Sequence, residues 1–236
     1  DDVEYYYSTT KTVRWEDGGE ELIEHPSSNP RNLDEQRKAG LSYRNFGKHF
    51  TARVHPDGFL FSNKSPFINI SENKYEVLGY LCSTLTRYIM NGMNPGINFN
   101  TGDGKRLPIK REFTRGDEIE ELVKSAIELR TDLYAQSEIR KEFDGGEFIT
   151  NPRELLLKED LVRSDIRSIH GIIDEIINDE YNLDEATRSR IYHNLPKKTI
   201  DNPHVTNTVE SENILSDVNH TIPTESLTES EYENLV

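Results

Sequence analysis

The chain has 236 residues, a formal net charge of −15 and one cysteine, with a mean hydropathy of −0.76. One thiol excludes an internal disulfide framework and a cysteine-rich zinc site, and no run reaches the roughly 18 apolar residues of a membrane span. The N-terminal run from Asp1 to Glu4 has no signal-peptide pattern, so we expect a cytoplasmic protein. Because the chain begins without Met, we also expect it to be a piece of a longer protein.

The negative charge is unevenly distributed along the chain. Residues 31–111 carry 13 Lys and Arg against six Asp and Glu, a local charge of +7, whereas residues 199–236 carry eight acidic residues and no basic one. The acidic tail is rich in Ser, Thr and Asn, so it cannot bury enough apolar surface to offset its ordering entropy. We therefore predict a β-rich region over 1–111, a helical region over 112–198 and a disordered acidic tail over 199–236.

The first 70 residues have the pattern of short strands separated by turns. Runs of β-prone residues occur at 5–7, 11–15, 41–43, 50–54 and 59–61. Pro56 and the pair Asp57-Gly58 favour a tight hairpin between the last two runs. Alternation places Thr51 and Arg53 on the face opposite the apolar side chains, which predicts an irregular β region with one buried side.

After residue 70 the apolar period changes to that of amphipathic helices. We predict four helices: one capped by Ser71 and ended by Asn91-Gly92, one from about Asp117 to 144–146, one capped by Ser164, and a short one starting at Asp184. The predicted fold is therefore α+β. A β-rich region with one packed helix is followed by a helical segment that ends in the acidic tail.

The search for catalytic chemistry is negative. The segment 101–106 lacks the spaced glycines and the Ser or Thr of a phosphate-binding loop, and the seven histidines lack metal-ligand spacing. Cys82 lies on an apolar helical stripe, where a buried and unreactive thiol is expected. We assign no catalytic, cofactor-binding or metal-binding residue to this chain.

One segment carries a specific pattern. Residues 94–103 read Asn-Pro-Gly-Ile-Asn-Phe-Asn-Thr-Gly-Asp and are followed by Leu107-Pro108. The segment resembles the N-P-T-x-N-F-x-x-G-D…L-P signature in the C-terminal half of large adenine-specific DNA methyltransferases. These include the BREX phage-defence (PglX-like) enzymes and related fused restriction-modification enzymes. Five further patterns of this family occur in order, at 15–20, 40–43, 50–61, 79–83 and 173–183.

The resemblance covers roughly residues 11–195 and has limits that matter for function. The sequence has Ser83, Gly96 and Gly104 where the family usually has Asn, Thr and an aliphatic residue. The family's Gly-rich S-adenosylmethionine motif is absent, and none of the four Asn-Pro pairs continues into the Asn-Pro-Pro-[Tyr/Phe] motif that holds the flipped adenine. The resemblance therefore implies a detached or truncated C-terminal part that recognises the DNA target and does not itself methylate. S-adenosylmethionine would bind elsewhere in the parent enzyme.

The same resemblance implies two partners: double-stranded DNA, and a methyltransferase catalytic domain in the same parent chain or in a separate subunit. No membrane partner is expected. Phosphate contacts need Lys and Arg on a presented surface, and base reading uses Arg, Asn or Gln. The candidate DNA-binding residues in the basic segment are Tyr43, Arg44, Lys48, Arg53, Lys64, Asn94, Asn98, Lys105 and Arg106.

Each candidate also has a purely structural interpretation. Arg53 can pair with a carboxylate, and Tyr43 can belong to the core. Asn94 and Asn98 can satisfy backbone groups in their loop, and Lys105-Arg106 can be a solvated turn. For the whole chain, the alternative function is a non-catalytic module that docks a protein partner through helices 117–193.

Overall fold

A computed structural model describes residues 5–6, 12–47, 49–135 and 152–195, with only the backbone described over 152–158. Its small sheet has three antiparallel strands in the order β2-β1-β3, with β1 at Gly40–Tyr43, β2 at Ala52–His55 and β3 at Phe67–Ile68. Leu41 pairs with both Val54 and Ile68 across the sheet. Gly40 is required at its position because a side-chain Cβ there would lie 2.6 Å from the Ile68 carbonyl oxygen. The mixed strand and helix content confirms the predicted α+β class.

The predicted hairpin between 50–54 and 59–61 is wrong. The turn itself forms, with Gly58 at a φ of +80°, but the chain after it does not become a strand. Its backbone groups bind elsewhere: the Arg37 N–H donates to the Phe59 carbonyl, and the Phe61 N–H donates to the Gln36 side chain. The partner of β2 is therefore β1. Residues 12–15 also form no strand, and they lead into a single helical turn, α1, at Glu20–Glu24.

Within the described residues, six further helices follow the sheet. They are α2 (Lys74–Cys82), α3 (Thr84–Met93), α4 (Thr101–Gly104), α5 (Gly116–Ala135), α6 (Pro152–Glu180) and α7 (Glu185–Asn194). The predicted N-terminus of α7 is confirmed, because Asp184 accepts a hydrogen bond from the Thr187 N–H. The start of α5 lies within one residue of the prediction, whereas its expected end near 144–146 falls outside the described residues. Lys48 and the tail 199–236 also lie outside them, so the predicted disorder of that tail stays a prediction.

Two predicted helix starts are wrong. The helix expected to begin at Ser71 begins at Lys74, after Asn73 in a left-handed conformation, and it is broken in two at Ser83. The extended Ser83 backbone ends α2, and its hydroxyl accepts a hydrogen bond from the Thr86 N–H at the start of α3. The helix expected to begin at Ser164 begins at Pro152.

The core is built around α2, which is why its residues 77–82 are all buried. On one side the Cys82 thiol donates to the Ala52 carbonyl of β2. On the other side Gly79 allows close approach to α5, since a Cβ there would lie 2.5 Å from Ile119 Cγ2. The buried cluster includes residues of the sheet and of helices α2, α3, α5, α6 and α7. The apolar faces of α5 and α6 thus pack within the molecule, while the proposed division at residue 111 remains a prediction.

Two polar contacts join α6 to the rest of the fold. We call the helices α5, α6 and α7 the helical layer. Asp174 of α6 is 2% exposed and accepts hydrogen bonds from the Thr84 N–H, at 2.7 Å, and from the Thr84 hydroxyl at the start of α3. Glu180, at the end of α6, binds the Lys110 ammonium at 2.8 Å and the Arg115 N–H at 2.9 Å. Both carboxylates fix the orientation of α6 against the segments that carry the loops described next.

Candidate nucleic-acid interface

Three loop segments meet beyond the end of β1, and we call residues 43–47, 62–65 and 94–106 the loop junction. The Asn45 N–H donates to the Lys64 carbonyl, and the Asn45 carbonyl accepts from the Phe99 N–H at 2.7 Å. The Gly47 N–H donates to the Ile97 carbonyl at 2.9 Å. These main-chain bonds bring together candidate residues that are up to 63 positions apart in sequence.

The loop 94–106 is also held by its own side chains. The Asn94 amide donates to the Asn98 carbonyl and to Asp103 Oδ2, while its oxygen accepts from the Gly96 N–H. Asp103 in turn accepts from the Asn100 N–H at 3.1 Å. The polar groups of Asn94 are therefore used inside the loop, as its structural interpretation expects, and they set the loop's shape.

Four of the candidate cations make no ion pair with any carboxylate in the described part of the chain. Lys105 and Arg106 are exposed directly after α4, Lys64 is exposed in the turn between Ser62 and Ser65, and Arg44 is half-buried. Arg53 differs, because its guanidinium donates to Ser65 Oγ at 2.8 Å. Most of the described candidate cations thus keep their charge unneutralised at the loop junction.

Several cations in or next to α5, α6 and α7 are paired with carboxylates. Lys124 pairs with Glu120 within α5 at 2.5 Å, and Arg115, in the turn just before α5, pairs with Glu118 at 2.6 Å. Further pairs join Lys110 to Glu180, Arg163 to Glu159, and Arg188 to Glu175 and Asp179. Hydrogen bonding to Glu118 raises the pKa of Arg115. The net charge of the chain therefore does not show which of its cations are available to an anion.

Tyr43 lies beneath the loop junction and is 2% exposed. Its ring packs on Phe50 with centroids 5.2 Å apart, and burial followed by the charge of Asp103 raises its pKa to about 12. Its hydroxyl, which has no hydrogen-bond partner in the described residues, lies near α4, where a Cβ on Gly104 would be 3.6 Å away. Tyr43 therefore supports the loops from below and does not present its ring for stacking.

Sequence reasoning missed Phe46, an exposed aromatic residue at the loop junction. Phe46 is 48% exposed and lies opposite Asn98 in an isolated antiparallel bridge. Its sequence context, between Asn45 and Gly47, gives no periodic pattern that separates an exposed aromatic residue from a buried one. Asn98 is exposed, and its side-chain amide makes no hydrogen bond to the described residues.

Other kinds of site find no support in the described ranges. Among the residues placed in the structure, no group of three or more His, Cys, Asp and Glu side chains could hold a metal ion. Within the same ranges, no helix combines the length and apolar character that crossing a bilayer requires.

No family model matches the chain. The chain is 26% identical over 182 residues to the adenine-specific methyltransferase BrxX of Escherichia coli O9:H4 (strain HS). The aligned part is 70% of this chain and 15% of the relative, so the chain spans a small part of the length of the curated protein it matches. The chain is therefore related in sequence to an adenine-specific methyltransferase, in agreement with the resemblance found in its motifs.

Proposed function

We propose that this chain recognises DNA as the C-terminal part of an S-adenosylmethionine-dependent N6-adenine DNA methyltransferase in a phage-defence or restriction-modification system. In the intact enzyme a separate catalytic domain would bind S-adenosylmethionine and transfer the methyl group, because this sequence lacks both motifs for that chemistry. The similarity to BrxX supports the enzyme class. The unneutralised cations of the loop junction support the DNA-binding role.

The cations of the loop junction differ from several cations in or next to the helices α5, α6 and α7 in having no carboxylate partner within the described residues. A phosphate that binds a cation already paired with a carboxylate must first displace that carboxylate. Lys64, Lys105 and Arg106 have no such competitor in the described residues, so contact with phosphate would release only condensed counterions. The helical layer, with its paired cations and excess of acidic groups, should face away from the duplex.

Duplex binding as a function of salt concentration tests this proposal. The variant K105Q/R106Q removes two unpaired cations, and the matched control K38Q/K124Q removes two cations that are paired with Glu35 and Glu120. Both variants change the net charge equally. If both Lys105 and Arg106 contact phosphates, the slope of log K against log salt should fall by about 1.8 in K105Q/R106Q. Affinity near 0.1 M salt should fall by roughly 10- to 60-fold.

The control should bind DNA almost as the unmodified chain does, with the salt slope unchanged. Equal weakening of the two variants would mean that only overall charge matters, and the loop junction would not be the binding surface. Unchanged binding in K105Q/R106Q would remove these two residues from the interface. If the unmodified chain fails to bind duplex DNA even at about 50 mM salt, the recognition role itself is wrong.

A further inference from the structure

The geometry of the bridge between 45–47 and 97–99 points two side chains outward together. The two main-chain bonds flank the pair Phe46 and Asn98, which makes it a non-hydrogen-bonded antiparallel pair. In such a pair the side chains lie on the same face and close together, while the neighbouring residues point to the other face. On that other face Phe99 is fully buried, whereas Ile97 is 50% exposed. The exposed positions of Phe46 and Asn98 are therefore set by the backbone.

We propose that Phe46 is a base-stacking wedge, which enters a base step of bound DNA while Asn98 hydrogen-bonds the edge of an adjacent base. This inference rests on the proposed DNA-recognition function. Apolar side chains that insert between base steps unstack them and kink the duplex, and the energy recovered comes from stacking and from added protein contact. An Asn amide beside the wedge has both a donor and an acceptor for a base edge.

The residues next to Phe46 and Asn98 hold the backbone of this pair in place, which favours insertion of the Phe46 side chain between bases. Phe99 packs edge-on against Phe50 with centroids 5.6 Å apart, so the segment that carries Asn98 is anchored in the core. The Phe46 backbone is held on both sides by bonds from Asn45 and Gly47. A side chain on a fixed backbone loses little conformational entropy on binding, so more of its stacking energy appears as affinity.

The charges of the loop junction indicate which kind of ligand binds at Phe46. An exposed aromatic ring could also dock a protein, but Lys64, Lys105 and Arg106 lie in the same loop junction with no carboxylate partner in the described residues. A polyanion with flat apolar faces satisfies both features, and nucleic-acid bases on a phosphate backbone have this combination. Within the loop junction, the Asn45 side-chain oxygen is buried and has no hydrogen-bond partner in the described residues.

The experiment uses the full chain and a duplex of about 30 base pairs that carries 2-aminopurine at TA steps, which unstack most easily. Binding of the unmodified chain should raise 2-aminopurine fluorescence. The variant F46A should bind about 5- to 150-fold more weakly, give no fluorescence rise and keep the salt slope, because no charge is removed. The variant F46W should retain both affinity and fluorescence. The matched control L161A removes a 54% exposed apolar side chain from α6 and should change nothing.

The outcomes separate the wedge from the recognition role. If F46A binds as the unmodified chain does while K105Q/R106Q is weakened, DNA reaches the loop junction but Phe46 is not a wedge. Phe46 would then be assigned to a protein contact, for example with the catalytic domain. A weaker F46A that still raises fluorescence equally would also overturn the inference. If no form of the chain binds duplex DNA, the proposed function fails first.

Discussion

The buried carboxylate of Asp174 offers the sharpest test of how the fold is held together. In D174A the first N–H of α3 and the Thr84 hydroxyl would lose their acceptor in a site that water does not reach. Hydrogen bonds to a charged group contribute about 1.5–3 kcal/mol, and an unsatisfied buried N–H costs about 1–3 kcal/mol. We expect D174A to lower the free energy of unfolding by about 3–5 kcal/mol, a large part of the 5–15 kcal/mol typical of a domain.

Urea unfolding followed by circular dichroism measures this loss, provided that the m value stays constant. The control D179A is on the same helix, and its carboxylate is 55% exposed and bound to Arg188, so it should cost at most about 1 kcal/mol. D174N keeps one oxygen for the Thr84 N–H and should fall between the two. The reasoning is refuted if D174A and D179A are equally stable, or if hydrogen exchange at the start of α3 is unchanged in D174A.

Three further predictions concern Glu180, Tyr43 and the pair of helical glycines Gly79 and Gly92. Burial would raise the pKa of Glu180, but the bonds from Lys110 and the Arg115 N–H lower it overall from 4.5. The stability from Glu180 should therefore be present above that value and be lost as the pH falls through the lowered pKa, so E180Q should destabilise at pH 7 and progressively less as the pH falls below 4.5. Y43F should unfold at an equal or slightly higher urea concentration, because it removes a buried unpaired hydroxyl; a loss above about 1 kcal/mol would reveal a partner. G79A should be destabilised by about 1 kcal/mol, as the clash with α5 exceeds the gain in helix propensity. G92A, with open space around its Cβ, should gain about 0.5–1 kcal/mol, and the opposite order in thermal melts would contradict this packing.

The parts of the fold that the sequence predicts well are those with long, regular patterns. The stripe from Ile119 to Ala126 identifies α5 because every apolar residue of it is buried, and the Asp184 cap acts within its own turn. The helix expected at Ser71 fails for a tertiary reason. Apolar periodicity continues through Ser83, where the helix breaks, and the first N–H of α3 after the break donates to Asp174, which lies 90 positions from Thr84.

Candidate site residues show the same division between local and distant causes. Composition identifies the basic segment, but it cannot tell Lys124, which Glu120 neutralises one helical turn away, from Lys105, which has no such neighbour in the described residues. Asn94 and Asn98 look equivalent in sequence, yet one is consumed by loop contacts and the other faces outward. Phe46 needed the pairing of two segments more than 50 residues apart before its exposure could be known.

The main-chain hydrogen bonds that hold the loop junction together determine which of its side chains can change without loss of the fold. The bonds that join 45–47 to 97–99 run between main-chain atoms, and any residue other than proline supplies the same N–H and C=O. Positions 46 and 98 can therefore exchange side chains at little expense to folding. Under the proposed DNA-recognition function, this arrangement would let a lineage, or a protein engineer, change the DNA sequence that is recognised while the supporting architecture stays intact.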